Sequence, residues 1–255
     1  MKTQKLGTTF VVLALILVSL VQINLYSQPV TVGVKGGISI PELKGGGTPQ
    51  SEGYSSRLAP NFGAFVNYEL NSALSLQAEV LFSGQGGKRN GMQAIDDVPL
   101  PVPTNTTLYA NFNNENIINY LEIPILLKYT FSGNETGFSE YVDAGPYLGI
   151  LLNAQTKTNG NSNIYLDPSG NMPLSIGGYP LPPFDFNSNT SITSSLKTIN
   201  VGIAGGVGVN LNTSAGQFDL DIRGVYGLIP IQVDKINGSN NTGALYVTIG
   251  YGLQI

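Results

Sequence analysis

Few residues in this chain have types and spacings suited to chemistry. Asp219 and Asp221 stand two apart, the spacing that puts two carboxylates on one face of a strand. Glycoside hydrolysis also uses paired carboxylates, but there they flank the scissile bond from both sides. Two acids on one strand face, turned into a closed interior, leave a polysaccharide no way to reach both. The glycines of GIAGGVG (202–208) match a dinucleotide loop in composition only, because no helix follows to receive a pyrophosphate. Asp96, Asp97 and Asp167 are acids in loop-like segments, without the spacing or closing Glu of a calcium loop. The chain has no His and no Cys. Their absence removes the commonest general base, the commonest metal ligand and all thiol chemistry. No catalytic residue, cofactor or metal is expected, and the protein is not expected to be an enzyme.

The charged residues share a geometric property instead. Lys35, Glu69, Glu79, Glu122, Lys128, Asp143, Asp219, Asp221 and Arg223 all fall on one phase of a two-residue alternation. Nine charges placed at random would share that phase about once in five hundred trials. The opposite phase is apolar: Val30, Val32, Val34 and Ile38 begin it, and Leu245, Val247, Ile249, Tyr251, Leu253 and Ile255 close it. A two-residue period is the signature of strands, whose successive side chains point to opposite faces. Eight such stretches are expected, near 30–40, 61–70, 74–84, 120–131, 141–153, 199–211, 218–228 and 245–255. Glycines, among them Gly33, Gly202, Gly208 and Gly250, crowd the charged phase beside Tyr147.

Composition limits the setting of these strands. The chain has 255 residues, suited to one domain, and charged residues make up only 11%, against roughly 25% in soluble domains. Lys2 and Lys5 precede the apolar run FVVLALILVSLV (10–21), and small Ser27 follows. That order reads as a secretory signal over 1–27, with the barrel domain over 28–255. The run is shorter than the roughly 20 apolar residues of a spanning helix, so any membrane crossing must be made by strands. Without Lys2 and Lys5 the balance is 10 basic against 16 acidic residues, a net charge of 10 − 16 = −6. No basic cluster points to nucleic acid.

A soluble barrel would show the same alternation with its greasy side inward. Three features favour the membrane. The apolar phase is nearly free of polar atoms, and the charged phase offers both signs to fill a polar core. Aromatics gather at both ends of the apolar phase: Tyr68, Tyr129, Phe131, Phe218 and Tyr251 at one, Phe62, Phe82 and Tyr226 at the other. Connections alternate long and short, with 71–73, 132–140 and 212–217 short, and 41–60, 85–119, 154–198 and 229–244 longer. The expected fold is an all-β, eight-stranded antiparallel up-and-down transmembrane barrel with short periplasmic turns and long extracellular loops. Membrane lipid is then the first partner.

Several local expectations follow. Arg223 and Lys128 are expected to neutralise Asp219, Asp221, Glu122 or Asp143 inside the barrel. Pro124 and Pro146, which cannot donate to a ladder, are expected at a bulge or local break. Stretches such as GGGTPQSEG (45–53), VPLPVPTNTT (98–107) and IGGYPLPPFDFNSNTS (176–191) suit turns and mobile coil. Tyr165, Tyr179, Phe184 and Phe186 are expected as exposed loop aromatics available to a partner.

The segments VGVKGGIS (32–39), LQAEVLFSGQGG (76–87), NYLEIPILLKYTF (119–131), YVDAGPYLGILL (141–152) and YVTIGYGLQI (246–255) resemble the PorT-like outer-membrane β-barrel family. The resemblance spans the chain after the leader and is weakest in the long loops. It implies an outer-membrane barrel with periplasmic termini and a link to protein secretion or surface export, with envelope or secretion proteins as partners. The leading expectation is a structural or interaction barrel, to which the resemblance adds the role of an accessory of protein secretion or surface export. A narrow passive channel for small solutes, a surface adhesin acting through the long loops, and a soluble periplasmic barrel are the alternatives.

Overall fold

The computed structural model describes residues 29–95, 106–131 and 137–255. The leader expected over 1–27, Asp96, Asp97 and residues 98–105 of the proline-rich segment lie outside the described residues. Eight long strands form the body: β1 (Val30–Gly46), β2 (Ala59–Glu69), β3 (Leu74–Ile95), β4 (Leu108–Thr130), β5 (Phe138–Asn159), β6 (Ile199–Thr213), β7 (Gly216–Gly227) and β8 (Ser239–Gln254). Each pairs antiparallel with its sequence neighbour, and β1 pairs with β8 from Thr31↔Gln254 to Gly46↔Ser239, closing the ring. A closed sheet leaves no unpaired edge, which is what a hydrocarbon environment demands.

The alternation settles which face is which. Val34, Val207, Ile222 and Ile249 point outward, Ile249 being 65% exposed, whereas Lys35, Asp221 and Arg223 are buried. On β7 the outward phase runs from Phe218 through Leu220, Ile222 and Tyr226 to Leu228 just beyond it. That is about the length a tilted strand needs to cross the bilayer core. Val30 departs from the expected phase: it is buried at the start of β1, where the register sets it beside Tyr68. The rim aromatics pair across strands. Phe62 stacks on Phe82 with centroids 5.0 Å apart, and Phe218 meets Tyr251 at 5.1 Å on the opposite rim.

The strands run well past the band that the apolar pattern marked. β3 reaches Ile95 and β4 begins at Leu108, so residues expected as a long loop continue one hairpin from Gly84↔Asn119 to Ile95↔Leu108. β5 likewise extends to Asn159 against β4. Outside the lipid no strand needs an apolar face, so Asn, Gln and Gly replace Leu and Val while the backbone ladder continues. Beyond Asn159 the chain folds back in short pairings, with 188–191 on β5 and 164–165 on β4. Composition alone suggests turns and mobile coil over 176–191, where 188–191 instead joins the sheet.

Local features fit the closure. The β4–β5 register shifts at Asn119/Tyr120, leaving Leu152 as an extra residue and exchanging the inward phase of β5 from Leu151 to Ala154. The β3–β4 ladder skips from Ala78↔Ile125 to Leu81↔Glu122, and the β4–β5 ladder from Pro124↔Tyr147 to Leu127↔Ala144. The interruptions flank Pro124 and Pro146, which lack an amide hydrogen.

Glycine and aromatic rings alternate inside the barrel for a steric reason. Gly202 and Gly208 stand directly opposite Tyr147 and Tyr141 across the β5–β6 ladder. A Cβ at either glycine would overlap the ring that lies over it. A lumen this narrow accepts a large side chain only where its neighbour gives up its own.

Candidate functional site

The interior is layered, and each layer follows from residues that the strand period turns inward. At the periplasmic end a polar cavity of about 690 Å³ opens among the short turns, lined by Asn67, Glu69, Ser75, Lys128, Ser139 and Asn210 among others. Glu69 is half-buried at its rim. Lys128, buried at its inner end, donates to Asn210 Oδ1 at 3.2 Å and lies 3.6 Å from the centroid of the Tyr141 ring. Among the described residues it forms no ion pair. The expectation that Lys128 would neutralise an acid is therefore corrected: an amide oxygen and a ring face hold it. Its cross-strand partner, Asp143, turns to Arg223 instead.

Above this lies an ionic layer. Arg223 Nη1 is 2.8 Å from Glu79 Oε2, and its Nη2 is 2.7 Å from Asp143 Oδ2 and 3.2 Å from Asp221 Oδ2. Lys35 adds contacts of 3.1 Å to Glu79 and 3.7 Å to Asp221. Tyr141 donates to Asp221 Oδ2 at 3.0 Å, and Gln77 donates to Glu79 Oε1 at 2.5 Å. A planar guanidinium can serve three carboxylates at once because its donors point in fixed, divergent directions. Asp219 forms no ion pair among the described residues. Its carboxylate occupies the space left by the missing side chain of Gly250.

Glu122, the fifth buried acid, takes neutral partners. Tyr246 donates to its Oε2 at 2.8 Å and Gln85 to its Oε1 at 3.1 Å, while Tyr246 also meets Ser83 at 2.7 Å. Nearby, Asn200 donates to Thr242 at 2.9 Å, and Tyr147 lies 3.4 Å from the same hydroxyl. The charges and Tyr147 are among the expected interior residues, whereas Tyr141, Tyr246, Gln85, Asn200 and Thr242 are not. Their signal was available, since Tyr141 and Tyr246 occupy the charged phase of their strands.

The outer mouth is stoppered. Leu43, Ile118, Tyr120 and Ala154 from the strands meet Leu196 and Ile231 from the loops, and Tyr54 packs against them. Three outer segments interlock over this cluster. Asn240 donates to Ser51 O at 2.8 Å and accepts from Gln232 at 2.7 Å. Asn116 donates to the Tyr54 hydroxyl at 2.7 Å, and Arg89 lies 5.5 Å from the Tyr54 ring. The turns expected over 45–53 form at 47–51, and Ser51 makes them part of a lid.

Further out, the extended strands and the third long loop form a ledge with its own core. Ile95, Leu108, Ala110, Phe112, Ile164 and Leu174 cluster there, and Phe184 and Phe186 pack on them. Phe186 stacks on Phe112 at 4.6 Å. Of the four loop aromatics expected to be exposed, Phe184 and Phe186 are half-buried, because the ledge has an apolar core that they complete. Tyr165 is half-buried and pairs with Tyr109. Tyr179 alone stays well exposed, at 80%, next to the turn formed by Gly177 and Gly178. Among the described residues no group of three or more potential metal ligands gathers.

A closed antiparallel ring with an apolar outside, a charged inside and rim aromatics defines the class of outer-membrane β-barrels. The chain belongs to the family described as outer membrane protein beta-barrel domain, whose model matches residues 26–233. It resides in the outer membrane, with lipid against its apolar face. No curated protein matches the chain. Among solved structures it is similar to Ail, the attachment invasion locus protein of Yersinia pestis, at 13% identity, covering 88% of this chain and 98% of that one with a TM-score of 0.38. Neisserial surface protein A matches at 10% identity, 87% and 96% coverage and a TM-score of 0.38. The N-terminal β-barrel domain of Pseudomonas aeruginosa OprF matches at 11% identity, 89% and 100% coverage and a TM-score of 0.34.

Proposed function

We propose that this protein is a closed, non-catalytic and non-conducting barrel that acts as an interaction platform, presenting its outer ledge to partners at the cell surface. The observation that carries this reading is the double closure of the lumen. The Arg223 network crosses the interior, and the Leu43–Tyr120–Ile231 cluster stoppers the mouth above it. A solute would have to displace paired charges and then an apolar plug. The rigid ledge fits an adhesin-like role, because ordered strands beyond the membrane pre-organise a contact surface. Planar bilayers containing the purified protein test the closure: silence is expected, and steady single-channel steps would restore the channel reading. Replacing 160–192 by a short linker should abolish surface attachment of expressing cells while the barrel still folds. Unchanged attachment would remove the platform role.

A second reading draws on the periplasmic cavity. Its polar lining of Asn67, Ser75, Ser139 and Asn210 offers hydrogen bonds to a segment of an envelope protein. The PorT-like resemblance would make that partner part of secretion or surface export. Deleting the gene and measuring secreted and surface-attached protein decides it, and unaltered export would end the secretion role.

A further inference from the structure

The ledge carries an uncharged polar pocket of about 490 Å³, where the end of β5 turns against β4. Five asparagines line it (Asn111, Asn113, Asn159, Asn161 and Asn163), with half-buried Tyr165 as its aromatic wall and Phe112, a member of the ledge core, at its floor. None of the described residues that line it is charged.

The backbone around the pocket is fixed. Ser162 Oγ accepts from the Asn111 amide at 2.9 Å and donates to Asn163 O at 2.7 Å. Asn187 Oδ1 accepts from Asn159 Nδ2 at 2.7 Å and from Gly160 N at 3.2 Å. Phe112 is held by its stack with Phe186. The side-chain amides of Asn111, Asn113 and Asn161 make no hydrogen bond among the described residues, and Asn163 Oδ1 is buried without a partner. The pocket therefore offers free amide donors and acceptors on a rigid frame.

We propose that this pocket binds a neutral saccharide. One carboxamide can donate to one hydroxyl and accept from its neighbour, which matches vicinal hydroxyls on a sugar ring. An aromatic wall suits the apolar face of the same ring. An acidic glycan would find no counter-ion among the described lining residues. A volume of this size accommodates a mono- or disaccharide within the usual range of small-ligand pockets. The inference rests on the ledge being the contact surface of the barrel and gives that surface a ligand class.

Refolded protein in a sugar-free amine-oxide detergent tests it, with saturation-transfer NMR against methyl glucoside, methyl galactoside, methyl mannoside, N-acetylglucosamine and lactose. At least one is expected to show transfer, and glucuronate to bind more weakly than its neutral counterpart. Asn113→Ala with Asn161→Ala is expected to weaken binding about tenfold or more, by loss of two hydrogen-bonding groups. Both side chains face solvent, so the heat stability of the barrel should be unchanged. Absence of transfer from every sugar, or unchanged binding by the double variant, overturns the proposal. If attachment still depends on 160–192 while no sugar binds, the platform role stands and only the saccharide is lost.

Discussion

Arg223 on β7 reaches Glu79 on β3 at 2.8 Å although 144 residues separate them. In the ring β8, β1 and β2 lie between their strands, so this contact spans the lumen and ties opposite walls together. The same guanidinium holds Asp143 on β5 and Asp221 on its own strand. A single side chain thus braces three strands of the barrel.

Arg223→Ala should therefore destabilise the folded barrel markedly. Three carboxylates would lose their shared donor inside a closed lumen, and removing one partner of a buried ion pair costs about 3–5 kcal/mol. Urea unfolding in detergent, followed by the mobility shift between folded and unfolded forms, measures this. A midpoint equal to that of wild type would mean that water solvates those acids.

Tyr246→Phe removes the hydroxyl that donates to Glu122 and meets Ser83. A loss of about 1–3 kcal/mol is expected for a buried acceptor deprived of its donor. Adding Glu122→Gln should cost less than the two single changes together, because both touch one network. Strict additivity would show that the two groups do not interact.

Ile249→Arg should lower stability by about 2–4 kcal/mol, since this outward position lies midway along the apolar band of β8. Leu211→Arg, beside the rim residue Phe218 in the β6–β7 register, should cost less than half as much. Equal costs at both depths would deny that lipid covers this face.

One pH effect is expected outside the membrane, in the turn at Asp167. Desolvation opposes its ionised form, but the amides of Met172 (2.6 Å), Asn171 (3.2 Å) and Ser169 (3.2 Å) outweigh it and hold the carboxyl below its usual value. With the folded pKa lowered, the turn's stabilisation is fully present above about pH 4, the ordinary Asp value. It fades as pH falls through the folded one. Protection factors for amide exchange at 169–172, taken against the intrinsic rate at each pH, should fall only in that acidic window, and Asp167→Asn should remove the fall. Protection factors that are flat across that window in the unaltered protein would contradict the capped turn.

The legible part of the site was its composition. Eight of the nine charges named from their phase are buried, and Glu69 sits half-buried at the periplasmic rim. The period says which way a side chain points, and a closed ring turns that into inside or outside. Partner choice was not legible: Lys128 went to Asn210 and Tyr141, and Glu122 to Tyr246 and Gln85. Asn210 on β6 and Tyr246 on β8 come from strands that do not adjoin β4, so those choices depend on distances across the ring.

The sequence by itself determined strand count, facing and the membrane-crossing band, because each is written locally in an alternation of two. Only the tertiary structure decided that β3, β4 and β5 continue beyond the bilayer and that Phe184 and Phe186 close a core over Phe112. It also decided that Tyr54, Leu196 and Ile231 converge on Tyr120 to seal the mouth. Outside the lipid no periodic apolar face is required, so ladder hydrogen bonds and contacts between distant segments fix the shape, and neither leaves a short-range pattern in the sequence.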